Sequence, residues 1–129
     1  MNTVKGHAAL GAWKGADEPA HGHVPAAGCV AVYQRVRSLD PDHPVVLIEA
    51  PRGPSPNPDG HDTPLTAAVI APYAKACDIH GVDIYPVSKP PGLHAGGPPV
   101  NTDLSVVGDM TRIVARASPG KQVWTTSTT

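Results

Sequence analysis

The segment Pro44-Val45-Val46-Leu47-Ile48-Glu49 constrains this chain more than any other, because four apolar residues, three of them β-branched, follow one another with no polar alternation before Glu49. A strand of that kind is buried on both faces, as happens in a parallel sheet covered by helices. Parallel neighbours need a crossover, most often a helix, so helical stretches should flank this run on both sides. They do. Upstream, the apolar run over residues 10–16 ends at Asp17-Glu18-Pro19 and reads as a strand. A helix then carries Ala26, Cys29, Val32, Tyr33 and Val36. Pro25 suits its first turn, and Arg35 and Arg37 suit the negative end of its dipole before Asp40-Pro41-Asp42 stops it.

Downstream, residues 66–76 read as a second helix that Pro72 should kink or shorten, and residues 82–85 as a strand halted by Pro86. Thr102 or Asp103 can cap a helix over residues 104–117, where Val106, Val107, Met110, Ile113 and Val114 recur at helical spacing. Gly120 ends it, and residues 122–126 form the last strand. The fold class expected is α/β, with about four parallel strands alternating with helices. Two proline- and glycine-rich loops interrupt this rhythm, over residues 50–64 and 88–101. The first is about 15 residues long, a length that marks a loop as functional or disordered.

A chain of 129 residues can bury one domain's core. It is too short for a closed eight-stranded (β/α) barrel, which needs about 250. Ten Lys and Arg against eleven Asp and Glu, scattered along the chain, leave a net charge of -1 and no basic stripe, which argues against a nucleic-acid partner. Sixteen prolines, thirteen glycines and no phenylalanine mean that the core rests on Val, Ile, Leu and Ala, so a marginally stable chain is expected. No run of about 18 apolar residues exists, so no membrane partner is expected. The N-terminus has no apolar signal-peptide core, and localisation is left open. Cys29 and Cys77, 48 residues apart by number and outside any CxxC pattern, read as buried free thiols.

Chemistry is concentrated at the ends of the strands. Asp17 and Glu18 close the first strand, and functional groups collect at the C-terminal ends of strands in parallel α/β folds. A carboxylic acid held there can act as a general acid towards a leaving oxygen. His21-Gly22-His23 offers a competing reading, in which two imidazoles join Glu18 around a divalent metal of a hydrolase. The pattern has no third histidine at diagnostic spacing, so no metal is expected. His7, His43, His61, His80 and His94 are dispersed and read as surface or packing residues. Gly96-Gly97 belongs to no phosphate-binding motif, and no serine sits in a G-x-S-x-G elbow, so no cofactor is expected.

Four segments resemble, in order, the fourth to seventh strands of clan-A-type glycoside hydrolase (β/α)8 barrels. Leu10-Gly11-Ala12-Trp13-Lys14-Gly15-Ala16-Asp17-Glu18-Pro19 is similar to the G-W-x-x-x-(D/N)-E-P string that ends in the acid/base glutamate. Arg37-Ser38-Leu39-Asp40-Pro41-Asp42-His43-Pro44-Val45 resembles the R-x-x-D-P-x-H-P-V passage into the fifth strand. Residues 77–87 resemble the D-I-x-x-x-D-x-Y-P sixth strand, and Gly120-Lys121-Gln122-Val123-Trp124 the G-K-P-V-W seventh.

The resemblance implies a partial (β/α) barrel, a fragment of a longer protein that hydrolyses O-glycosidic bonds. Glu18 would be the acid/base. Asp17, Asp83, Tyr85 and Trp124 would contact the carbohydrate substrate, while Trp13 would be structural. The family's nucleophile, a glutamate at the end of the seventh strand, has no counterpart, because Trp124 is followed only by threonines and a serine. Lys14-Gly15 also replaces a bulkier pair. Glu49, the only other glutamate, could face the same mouth from the fifth strand. A carbohydrate-binding or structural remnant without turnover is therefore the alternative. Exposed edges of a partial barrel further suggest self-association.

Overall fold

The computed structural model describes residues 4–54, 63–85 and 105–127. Four strands, β1 (Trp13–Asp17), β2 (Val45–Glu49), β3 (Ile79–Ile84) and β4 (Gln122–Ser127), form one parallel sheet in the order β1-β2-β3-β4. Helix α1 (Ala26–Leu39) joins β1 to β2. A short α2 (Ala67–Ile70), continued by a 3-10 helix (Ala71–Ala76), lies between β2 and β3, and α3 (Val106–Ala117) precedes β4. The fold is α/β, with four parallel strands alternating with helices, and the sheet is open.

Strand order explains why every described helix packs on the same face. When each crossover has the usual right hand and each new strand is added on the same side, the helices cannot alternate between faces. Leu47, Val82 and Ile84 of the sheet accordingly pack with Cys29, Ile70, Tyr73, Val106, Met110 and Val114 in one core. Val46, Ile48 and Ile79 form a second, smaller cluster with Ala12 on the opposite face, to which no described helix contributes. This one-sided cover is consistent with an arc of a (β/α) barrel.

Agreement with the sequence is closest at β2, buried at all five residues. Pro72 acts as expected. Having no N–H to donate, it sits at the start of the segment where the α-helix gives way to a 3-10 turn. Pro25 stands one place earlier than expected, as the N-cap of α1. Strand β3 begins at Ile79 rather than at residue 82, because it pairs with β2 from Val46 onward. The capping expectation at Thr102 and Asp103, the loop over residues 88–101, His61 and His94 lie outside the described residues. Both cysteines are buried and free, and burial pushes the Cys77 thiol up to about 11, which removes it as a nucleophile.

The N-terminal ends of the strands are tied together by polar side chains. Asp40 accepts from the Trp13 indole (3.0 Å), the His43 ring (2.9 Å) and the backbone N–H groups of Asp42 and His43. Arg37 donates to the His43 carbonyl, and Asp78 accepts from Tyr33 (2.7 Å) and from the N–H of Val45 (2.9 Å). Lys121, just before β4, donates to the Cys77 carbonyl. The Arg37-to-Val45 segment thus serves the start of β2 and the anchoring of its neighbours. Trp13 is structural, as expected.

Burial alone would raise the Asp40 carboxyl, but the bonds from Trp13, His43 and the two backbone groups outweigh it and hold it at about 2, against 3.8 for the free side chain. A group depressed in the folded state stabilises the fold above its unfolded value and loses that contribution as the pH falls through the folded one. Thermal midpoints at pH 5 and pH 2 should therefore differ less in Asp40→Asn than in the parent chain. An equal fall in both would remove Asp40 from the acid sensitivity.

Candidate functional site

The C-terminal ends of β1, β3 and β4 form a polar mouth. In β1, Lys14 stands opposite Val46 and Asp17 opposite Ile48, so three steps along β1 match two along β2. The extra residue is a bulge at Gly15-Ala16, a device that re-aims the residues that follow it. The two that follow are Asp17 and Glu18. Asp17 is exposed and paired with Lys14 at 2.8 Å.

Glu18 is half-buried, with φ at +46°, left-handed backbone that a glutamate adopts only at a cost. Its surroundings hold it there. Its N–H donates to the Ile48 carbonyl at 2.7 Å, its own carbonyl accepts from Gly22, and the Pro19 carbonyl accepts from Val24. Farther along the same loop, the His21 ring lies 2.9 Å from the Gly53 carbonyl, and Tyr73 donates to the Val24 carbonyl at 2.7 Å. The turn carrying Glu18 is thus clamped to β2, to the loop after β2 and to the 3-10 helix.

Asp83 and Tyr85 enter the mouth from β3. Tyr85 donates to Asp83 Oδ2 at 2.7 Å, and Thr126 of β4 donates to Asp83 Oδ1 at 3.1 Å. The bond to Asp83 and that carboxylate's charge raise the Tyr85 phenol. Burial and the charges of Glu18 and Asp17 add to the effect, which places all four residues in one electrostatic neighbourhood. The phenol therefore remains a donor through the neutral range.

Asp83 and Thr126 also line a cavity of about 290 Å³ on the helix-free face, together with Val46, Ile48 and Trp124. Trp124 is 44 % exposed and leaves part of its ring surface open to solvent. Gly81 keeps this face open. A Cβ there would lie 2.6 Å from Ile48 Cδ1 and 2.8 Å from the Trp124 carbonyl oxygen, so a larger residue could not be placed between them without moving the strands. Sequence reasoning missed Gly81, whose only signal is a glycine within a strand pattern.

Glu49 does not face this mouth. It lies on the helix side with Leu47, is fully buried, and accepts from the Ala20 N–H (Oε2, 3.3 Å) while Oε1 stands 3.3 Å from His80 Nε2. His80 Nδ1 in turn lies 2.5 Å from Ser118 Oγ. His80 is thus a fully buried hydrogen-bonding residue, more than the packing or surface residue expected of it. The Ser-His-Glu order resembles a nucleophilic triad, but Ser118 is only 2 % exposed, beneath α3 and away from the mouth.

The metal reading gains nothing. Among the described residues no group of three or more His, Cys, Asp or Glu is placed to hold a metal ion, and His21 is turned towards Gly53. No described helix is long and apolar enough to cross a membrane. No protein-family model matches the chain, and neither the curated proteins nor the solved structures include one similar to it.

Proposed function

We propose that this chain is the portion of a glycoside-hydrolase-like (β/α) barrel that carries the acid, and that Glu18 protonates the departing glycosidic oxygen. The observation that carries this reading is the strained backbone of Glu18 at a strand end. A non-glycine residue at positive φ persists only where its surroundings over-determine it, and such residues cluster at active sites. The groups at and near these strand ends suit a sugar. Asp83 accepts hydrogen bonds from hydroxyls, Asp17 offers a second acceptor, Tyr85 orients Asp83, and Trp124 provides a face for the ring.

Proton transfer from Glu18 to the leaving oxygen accompanies cleavage of its bond to the anomeric carbon, and the neighbouring carboxylates stabilise the positive charge that develops there. A water molecule then adds to that carbon and returns a proton to Glu18. Glu18→Gln in the complete protein should lower hydrolysis of an unactivated glycoside by about 100-fold or more. Unchanged hydrolysis would overturn the assignment.

A second reading, carbohydrate binding without turnover, is favoured by the burial of Glu49 on the helix side, which leaves Glu18 without a second glutamate at the mouth to act as nucleophile. Under that reading, oligosaccharide titration changes the tryptophan fluorescence of the chain and Trp124→Ala removes the response, while no glycoside is cleaved.

A further inference from the structure

We propose that Glu49 is a positioning residue for Glu18, and that His80 and Ser118 complete a buried relay holding it in place. This rests on the reading of Glu18 as the acid. The relay runs the height of the sheet on its helix side. It starts at Ser118, between α3 and β4, passes through His80 near the start of β3, and reaches Glu49 at the end of β2. There Glu49 Oε2 accepts the N–H of Ala20, two residues beyond Glu18.

Ala20 is itself buried at 2 % exposure, as are Pro19 and the three relay side chains, so water does not compete for these bonds. With Nε2–H of His80 donating to Glu49 Oε1, Nδ1 accepts from the Ser118 hydroxyl, and the ring orientation is set from both ends. The carboxylate is then held by a partner on each oxygen. Its rigid end meets the one backbone donor that lies between the strained Glu18 and the start of the loop to α1. The Ile48 carbonyl secures Glu18 from one side of the turn, and Glu49 secures it from the other. No residue of the relay reaches the mouth, so its effect on chemistry is through the placement of Glu18 alone.

Amide hydrogen exchange on the unaltered chain is the first test. The Ala20 amide should exchange at least about a thousandfold more slowly than an open amide, and within about tenfold of the β2 amides. Exchange at the rate of an open amide would overturn the proposal. Glu49→Gln keeps an acceptor for Ala20 and meets His80 Nε2 with its amide N–H once the ring takes its other tautomer, Nδ1–H donating to Ser118, and should retain the protection.

The combined variant Glu49→Leu, His80→Leu, Ser118→Ala replaces the whole relay by apolar groups, a change that buried polar clusters often tolerate. In it, Ala20 exchange should rise about tenfold or more relative to the β2 amides. If that variant does not fold, Ser118→Ala alone carries the same comparison. In the complete protein the loss of the relay should lower kcat on an unactivated glycoside at nearly constant KM, with Glu49→Gln restoring it. An unchanged kcat beside a loosened Ala20 would reduce the relay to a structural role and overturn the proposal. Full activity in Glu18→Gln would show that the reading of Glu18 has failed instead, whatever the exchange at Ala20.

Discussion

Truncating His80 to alanine is expected to lower the stability of the chain by about 3 kcal/mol or more, the cost of breaking a buried pair by removing one partner. His80 is fully buried between Glu49 and Ser118, and its loss leaves both without their shared partner where no water reaches them. It also opens a cavity in the sheet's helix-side layer, which adds to the loss. For a domain whose total stability lies in the range of about 5–15 kcal/mol, this approaches unfolding. A urea denaturation midpoint for His80→Ala within error of the parent would show that the bonds seen here contribute little. His80→Gln, which can still meet one neighbour, should fall between the two.

Glu18→Gly should move two properties in opposite directions. At φ +46° glycine lacks the Cβ that makes left-handed backbone costly, so the fold should gain about 1 kcal/mol, less the entropy that a glycine adds to the unfolded chain. At the same time the proposed acid is gone, and hydrolysis of an unactivated glycoside by the complete protein should fall to background. A gain in thermal midpoint with loss of activity is the pattern of a residue retained for function at the expense of stability. A clear loss of stability would mean instead that the Glu18 side chain contributes contacts that outweigh the strain.

Much of the fold is legible from the residues, because it depends on patterns that chemistry imposes locally. The apolar run from Val45 to Ile48 reads as a strand buried on both faces, and β2 is buried throughout although the described helices cover only one face. Pro72, placed inside a helical stretch, disturbs it. The strand pattern puts Asp17 and Glu18 at the end of one strand and Asp83 and Tyr85 at the end of another, and β1 and β3 end at or beside those residues.

Tertiary partners were not legible. His80 looks like any isolated histidine, and only the sheet's register brings it diagonally to Glu49 and, past the end of α3, to Ser118. Glu49 occupies a strand end and so resembles a mouth residue, yet alternation from Leu47 turns it to the helix side. Glutamate carries no signature of left-handed backbone, so the strain at Glu18 was invisible, as was the bulge at Gly15-Ala16 that precedes it. The Arg37-to-Val45 motif is one of the four segments that carry the family resemblance, and its side chains anchor the N-terminal end of the sheet, the face where such folds place stability more than chemistry.

General-acid catalysis by Glu18 is tested most directly by varying the leaving group. Protonation matters most for a poor leaving group such as a sugar or alkyl alcohol, and little for an acidic phenol that departs as its anion. In the complete protein, Glu18→Gln should reduce kcat/KM for an alkyl or oligosaccharide glycoside by about 100- to 10,000-fold, the span that general acid–base catalysis supplies, while the matching nitrophenyl glycoside loses far less. An equal loss on both substrates, or no loss on either, would contradict the role assigned to Glu18.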